Sequence, residues 1–230
     1  MTALVLTVAL LVLANVLNNR LAPHRYLLTS LGTTAALLGL YAWAGAPWAD
    51  AGLGGRALRG AVWGLALAAL VALVYLVAAL VPATRAVLRD RRAAGVSRSE
   101  VAYQVLVRIP LGTVVLEEVA FRGVLFGLLF HRYGGLWATV GSAALFGLWH
   151  VLPASGLARH NPVAGRVFDR RRGLLVVLSV AVTGLSGALL CELQRRTGSL
   201  LMPIAVHWAV NGLGYLTAYL VSGRGMATAV

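Results

Sequence analysis

The chain has 230 residues, of which 60% are hydrophobic and only 12% are charged, and its mean hydropathy is +0.83. These values indicate a polytopic membrane protein without a soluble domain. The net charge of +13 comes from arginine alone, since lysine is absent. The arginines lie in short loops between apolar runs, so no nucleic-acid partner is expected. The single cysteine, Cys191, excludes an intramolecular disulfide.

Long apolar runs separated by Gly, Pro and Arg clusters predict an all-α transmembrane bundle of about seven to eight spans. We expect residues 1–230 to form a single integral membrane domain. The first run is short for a full span. It has no basic segment before it and no clear cleavage site, so we expect it to be retained rather than removed as a signal peptide. The predicted helices cover about residues 3–17, 27–46, 57–81, 101–131, 134–152, 173–194 and 199–221.

The arginines between these runs predict the orientation. With the N-terminus outside, thirteen of the twenty arginines lie inside and five lie outside. Ten of these thirteen inside arginines belong to the loops at 82–100 and 153–172, and Arg224 is one of the remaining three. The positive-inside rule therefore favours an N-out, C-in multi-pass protein of the plasma membrane. The Ala-, Gly- and Arg-rich composition indicates a bacterial source.

The fourth run is too long for a simple span. Its 31 residues would reach roughly 46 Å, against a hydrocarbon core of about 30 Å. Ser97 and Glu100 have the S-x-x-E spacing of a capping box that would start a helix, and Pro110 should kink it. We therefore expect the span proper to begin near Pro110. Glu117 would then lie only about 10 Å below the inner surface, where water can be admitted.

Two adjacent carboxylates, Glu117 and Glu118, interrupt this apolar run. Burying a charge in hydrocarbon costs several kcal/mol, so such residues usually indicate function. Glu118 and Arg122 are spaced i, i+4 and can pair on one helix face. Glu117 points about 100° away and is left free. Glu192, in contrast, has the spacing of a structural ion pair with the two arginines that follow it.

Polar residues also occur in two later apolar runs. His150 ends the fifth run one turn after Phe146, and His207 and Asn211 lie one turn apart in the seventh. A lone histidine near a helix end is commonly an interface residue. Two histidines, an asparagine and a spare carboxylate on three helices of one small bundle instead predict a shared site.

The order E-E-x-x-x-R, F-x-x-x-H and H-x-x-x-N on three separate apolar helices resembles the CPBP family. These are the CAAX-protease and bacteriocin-processing intramembrane proteases, also called the Abi family. The resemblance covers about residues 100–215 and includes Gly123 after the arginine, as the family often has. It implies an intramembrane endopeptidase, with the lipid bilayer and a peptide or protein substrate as its partners. The family's usual eight spans exceed the seven runs seen here.

Family members are described both as metal-dependent and as glutamate-dependent without a metal. Without a metal, Glu117 would act as general base on a water that His150 orients. His207 and Asn211 would then donate hydrogen bonds to the tetrahedral oxyanion. A zinc ion would instead take Glu117, His150 and His207 as ligands, although no H-E-x-x-H motif is present. The metal-free version needs fewer assumptions, so no cofactor is assigned.

Three further residues are expected to support the site by holding its helices: Glu118, Arg122 and Phe146. A purely structural interpretation, in which a buried Glu–Arg pair only fixes packing, explains Glu118 and Arg122. It leaves Glu117 unexplained.

Other functions compete with this prediction. Gly184–Gly187 spells the G-x-S-G of rhomboid proteases, but only 21 residues separate Ser186 from His207. That spacing puts them on consecutive helices, whereas rhomboids place another helix between, and small-residue packing explains the motif equally well. Aspartyl chemistry is excluded because no Asp lies within a span. The non-enzymatic alternatives are a peptide-binding or immunity scaffold and a small proton- or ion-coupled transporter, although no inverted repeat is visible.

Overall fold

The computed structural model describes residues 1–223, and among them it contains helices and no β-strand. This confirms the predicted all-α fold. The helices, numbered in chain order, are α1 (Thr2–Leu21), α2 (Tyr26–Trp43), α3 (Ala57–Leu80), α4 (Pro82–Leu88), α5 (98–133), α6 (135–149), α7 (Val151–Ser155), α8 (Leu157–His160), α9 (Pro162–Val167), α10 (Arg172–Thr197) and α11 (Leu201–Ser222).

Each of the seven predicted runs corresponds to one long helix. The first is longer than expected, because a wide π-type turn at Leu17–Leu21 extends α1 to 20 residues. The segments predicted as loops at 82–100 and 153–172 contain the short helices α4, α8 and α9. Their apolar stretches are too short to give a clear periodic signal, which is why the sequence pattern missed them.

Within residues 1–223, four helices are long and apolar enough to cross a membrane, namely α1, α3, α10 and α11. Helix α3 has a mean hydropathy of 2.4, yet only 6% of its apolar window is buried inside the protein. Such a bare apolar surface needs lipid chains around it, so the protein belongs in a membrane. The total of seven to eight spans stays a prediction.

Helix α5 begins as the sequence predicts but differs in detail. The Ser97 hydroxyl accepts a hydrogen bond from the Glu100 N–H (3.2 Å). The Glu100 carboxylate does not close the capping box, since it accepts a hydrogen bond from Gln104 instead (2.7 Å). Pro110 lies in a run of wide π-type turns, Gln104–Val114, and the helix continues through it. Wide turns of this kind let a helix absorb a residue that cannot donate a backbone hydrogen bond.

A glycine separates α5 from α6. Gly134 has a φ of +78°, a region that residues with a Cβ rarely adopt. Helix α6 returns along α5 from this point, and its last residues come level with Glu117. The predicted break between the fourth and fifth runs thus corresponds to a single residue with a positive φ, Gly134.

Helix α5 forms the centre of the bundle. Its residues Leu116, Ala120 and Phe121 are at most 1% exposed. They pack in one core cluster with buried side chains of α1, α2 and α6, which include Leu11, Ala14, Leu37, Tyr41, Phe146 and Trp149. A polar residue in this part of α5 is therefore held in a nearly dry environment.

Helices α6 and α10 approach each other closely through glycine. A Cβ on Gly147 would lie 2.7 Å from the Val180 carbonyl oxygen, and one on Gly187 would lie 3.0 Å from the Phe146 ring. The G-x-S-G segment therefore contributes to helix packing, as small residues do in membrane bundles.

The two arginine-rich loops pack against each other. The Asn161 side chain donates a hydrogen bond to the Val87 carbonyl (2.9 Å). The loops at 82–100 and 153–172 therefore share one end of the bundle, which is the grouping that the arginine count predicts. Arg224, assigned to the same side by that count, lies outside the described residues.

Candidate active site

Three helices bring the predicted polar residues together. Helix α5 supplies two glutamates and an arginine, α6 ends at a histidine, and α11 supplies a histidine and an asparagine. Around the glutamates α5 changes winding twice, with Val115–Glu117 between wide-turn segments. Wide turns within helices are frequent at functional sites. The residues that meet here are Glu117, Glu118, Arg122, Phe146, His150, His207 and Asn211.

The predicted Glu118–Arg122 pair is present and fully buried. One guanidinium nitrogen of Arg122 donates to Glu118 Oε1 (3.1 Å), and both side chains are 0% exposed. The guanidinium also lies 3.9 Å from the centre of the Phe146 ring, a cation–π contact. The same Glu118 oxygen lies 2.6 Å from His207 Nδ1. Glu118 therefore connects α5 to α11, whereas its contact with Arg122 lies within α5.

Glu117 has one engaged oxygen and one free oxygen. Trp149 Nε1 donates to Oε1 (3.0 Å), so the carboxylate is less free than the sequence suggested. Oε2 is buried and has no hydrogen-bond partner among the described residues. It lies 3.9 Å from His150 Nε2 and 3.8 Å from His207 Nε2. Two imidazole rings from different helices thus face one carboxylate oxygen.

His150 is held in one orientation by its own helix. Its Nδ1 lies 2.8 Å from the Phe146 carbonyl oxygen, which can only accept, so Nδ1 carries the proton. In the neutral ring, Nε2 then has a free lone pair and faces Glu117. The ring packs edge-on against Phe146, with 4.6 Å between centres.

His207 and Asn211 form a second oriented pair. Because Nδ1 of His207 donates to the Glu118 carboxylate, Nε2 of the neutral ring accepts from the Asn211 amide (3.0 Å). An amide nitrogen has two protons, so Asn211 keeps one N–H for another acceptor. The i, i+4 spacing on α11 makes this geometry possible.

Two residues of the site were not predicted. Trp149 holds the Glu117 carboxylate, and the Asn15 side chain of α1 donates to the Trp149 carbonyl oxygen (2.8 Å). A tryptophan in an apolar helix brings an N–H that needs a partner, so Trp149 carried a weak signal beside His150. Asn15 carried none, because it lies 134 residues away in the chain.

The serine alternative gains no support from the contacts. Within residues 1–223, His207 bonds to Glu118 and Asn211, and no hydrogen bond joins it to Ser186. A serine nucleophile needs a base within hydrogen-bond reach. The neighbouring glycines of Ser186 serve helix packing instead.

A metal ion does not fit these residues as they are arranged. The described part of the chain has no group of three or more His, Cys, Asp or Glu side chains that could hold one. Zinc needs a free lone pair on each imidazole, but Nε2 of His207 accepts from Asn211 and its Nδ1 bonds to Glu118.

Comparison with known proteins identifies the family. A family model described as "Type II CAAX prenyl endopeptidase Rce1-like" matches residues 100–213. That range starts in the first turn of α5 and ends in α11 after Asn211, so it contains all three motifs. Searches of curated proteins and of solved structures gave no match. Residues 100–213 of the chain therefore form a domain of the Rce1-like family within the CPBP proteins.

Proposed function

We propose that the protein is an intramembrane endopeptidase in which Glu117 is the general base. One observation carries this proposal: among the described residues, the buried Glu117 Oε2 has no hydrogen-bond partner and faces two imidazole nitrogens at 3.9 and 3.8 Å. Leaving a buried polar atom unpaired costs about 1–3 kcal/mol. Glu118 Oε2 is also buried without a partner among the described residues, but Arg122 neutralises that carboxylate, whereas Glu117 has two imidazole nitrogens rather than an arginine beside its free oxygen. The family membership supports the reaction class.

The spacing around Glu117 suits a nucleophilic water. Distances of 3.8–3.9 Å are too long for direct hydrogen bonds, and groups at such distances commonly share a water. A water there can donate one hydrogen to Glu117 Oε2 and the other to His150 Nε2. Its oxygen lone pair is then available to attack a peptide carbonyl carbon.

Proton movement follows from these positions. Glu117 takes one proton from the water as the new C–O bond forms, and the carbonyl becomes a tetrahedral oxyanion. Glu117 then gives that proton to the amide nitrogen as the C–N bond breaks, which leaves a carboxylic acid and an amine. The Trp149 N–H on Oε1 holds the carboxylate so that Oε2 stays directed at the histidines.

The second N–H of Asn211 is the donor for the oxyanion in this proposal. His207 accepts the first N–H and so fixes the direction of the second. Glu118 in turn fixes the His207 ring at 2.6 Å, and Arg122 neutralises Glu118. In this tautomer, His207 stabilises the oxyanion through Asn211 rather than by a bond of its own.

Single substitutions of this pair should reduce cleavage without abolishing it. We expect Asn211→Ala and His207→Ala each to lower kcat by about 10²–10³, the usual loss for one oxyanion donor. Because His207 works through Asn211, the double variant should be about as slow as the slower single variant. Steady-state kinetics of all three variants give the test. Fully additive losses would contradict the coupling and favour independent donors.

Cleavage by the isolated protein tests the reaction class. Purified protein in lipid nanodiscs should cut members of a library of membrane-associated peptides, and exhaustive chelation should leave the rate unchanged. Ser186→Ala is the matched control for the serine alternative and should also be fully active. Loss of activity on chelation, with recovery on adding zinc, would contradict the metal-free mechanism.

We propose an N-out, C-in orientation in a bacterial plasma membrane, because ten of the twenty arginines lie in the two loops that share one end of the bundle. Cysteine introduced at Ser97 or Ser155, in a Cys191→Ala background, should react with an impermeant maleimide only after the cells are permeabilised. Arg59→Cys, at the other end of α3 from the 82–100 loop, should react on intact cells. The reverse pattern would overturn the orientation.

A further inference from the structure

The arginine-rich end of the bundle carries a large excess of positive charge. The loops at 82–100 and 153–172 contain ten arginines, and within residues 1–223 only Arg92 has a carboxylate within 4.0 Å, that of Asp90 at 2.6 Å. Burial alone would raise the pKa of Asp90, but the hydrogen bonds and charge of Arg92 hold it below its usual value. The negative charge of Asp90 therefore neutralises Arg92 rather than the other arginines of these loops. The other arginines repel one another and attract anions.

Two of these arginines line a pocket of mixed character. A cavity of about 180 Å³ lies between the α7–α8 segment and the start of α10. Its lining includes the polar residues Arg159, Arg172 and Ser155 and the aliphatic residues Leu175 and Val176. No acidic residue lines it. Orientation signals explain why arginines occur in these loops, but they do not require a pocket lined by both arginines and aliphatic residues.

A neighbouring pocket differs in one decisive respect. It is lined by Arg91, Arg166 and Asp169, so a carboxylate already faces its arginines. The two pockets share Ala158. An incoming anion would be repelled by Asp169 in the second pocket but not in the first, which favours the first as the anion site.

The two faces of α10 at this level differ: Leu175 and Val176 line the pocket, whereas the opposite face of the helix is apolar and exposed. Leu174, Val177 and Leu178 on α10 are 43%, 63% and 44% exposed. Helix α10 is long and apolar enough to span a membrane, with a mean hydropathy of 2.4. Its start at Arg172 therefore marks the boundary between headgroups and acyl chains. A free phosphate would use only the arginines, whereas a phospholipid would also use the aliphatic side chains of Leu175 and Val176 that line the same pocket.

We propose that the pocket between α7–α8 and α10 binds the phosphate of an anionic phospholipid. Arg159 and Arg172 contact the phosphodiester, since guanidinium groups bind phosphate oxygens through paired N–H donors. The acyl chains leave the pocket past Leu175 and Val176 on the first turns of α10, and the basic pocket at the membrane face selects an anionic headgroup. Helix α7 begins directly after His150, so the bound lipid also steadies the segment that follows the end of α6. The proposal does not depend on proteolysis.

The test measures lipid binding. Protein purified in detergent is examined by native mass spectrometry after incubation with phosphatidylglycerol or phosphatidylcholine, and its unfolding midpoint is recorded with each lipid. The pocket variant combines Arg159→Gln and Arg172→Gln. Its matched control combines Arg170→Gln and Arg171→Gln, which removes the same charge from exposed arginines that do not line the pocket.

Wild type and the control should bind phosphatidylglycerol, with a raised unfolding midpoint, and should not respond to phosphatidylcholine. The pocket variant should bind phosphatidylglycerol at least about tenfold more weakly, which corresponds to 1.4 kcal/mol or more. Both replaced side chains are exposed. Each single variant should weaken phosphatidylglycerol binding by less than the double variant does. The single variants therefore provide the test if the double variant does not fold.

Three results would overturn the proposal. Equal weakening in the pocket variant and its control would mean general charge attraction without a site. Unchanged binding in the pocket variant and in both single variants would mean that the lipid binds elsewhere. Equal stabilisation by glycerol phosphate, which has the phosphate but no acyl chains, would mean a site for free phosphate rather than for a lipid.

Discussion

Glu117→Gln should bring proteolysis down to background, a loss in kcat of up to about 10⁴, the upper range for general acid–base catalysis. Glutamine keeps the size of the side chain, and its carbonyl can still accept the Trp149 N–H. It cannot take a proton from water at Oε2. The fold and the affinity for peptide should therefore remain, so kcat should change while peptide binding does not.

The comparison is made on purified protein in nanodiscs, with cleavage rate and peptide binding measured separately. Glu192→Gln is the matched control, because it makes the same change at a partly exposed carboxylate whose ion pairs, within residues 1–223, are with Arg195 and Arg196. Trp149→Phe keeps most of the packing but removes the N–H, and it should lower kcat by a smaller factor than Glu117→Gln.

Cleavage at nearly the wild-type rate with Gln at position 117 would rule out this mechanism. If Glu117, His150 and His207 all proved dispensable for the biological effect, a peptide-binding scaffold would be the better account. A carboxylate with one free buried oxygen between two histidines argues against that account, since binding alone does not need it.

Arg122→Ala should destabilise the protein by about 3–5 kcal/mol, the usual loss when one partner of a buried ion pair is removed. Glu118 would keep its bond to His207 but lose the charge that neutralises it. The change also removes the cation–π contact with Phe146 at 3.9 Å. Most single substitutions would not have so large an effect.

Chemical unfolding in detergent and the yield of folded protein measure this loss. Arg196→Ala is the control, because it breaks an exposed pair with Glu192, and such pairs contribute about 0–1 kcal/mol. Adding Glu118→Ala to Arg122→Ala should recover part of the stability, since no unpaired carboxylate then remains. Normal stability of Arg122→Ala by itself would show that the pair does not hold α5 in place.

The sequence by itself determined the features that depend on neighbouring residues. Apolar runs predicted seven long helices, because backbone groups in a membrane must bond within their own segment. The i, i+4 spacing predicted the Glu118–Arg122 pair, because helix geometry places such residues side by side whatever surrounds them. The same rule placed His207 beside Asn211. The three motifs together also predicted the family, which the match over residues 100–213 confirmed.

Only the tertiary structure decided which groups the carboxylate oxygens of Glu117 and Glu118 contact. Trp149 reaches Glu117 across 32 residues, His207 reaches Glu118 across 89, and Asn15 reaches Trp149 across 134. These contacts depend on the one left-handed glycine between α5 and α6 and on glycine-mediated packing of α6 on α10. Spacing along the chain specifies which residues share a helix face. It does not specify how closely two helices approach or how far each is rotated toward the other, because those follow from side-chain packing across the whole bundle.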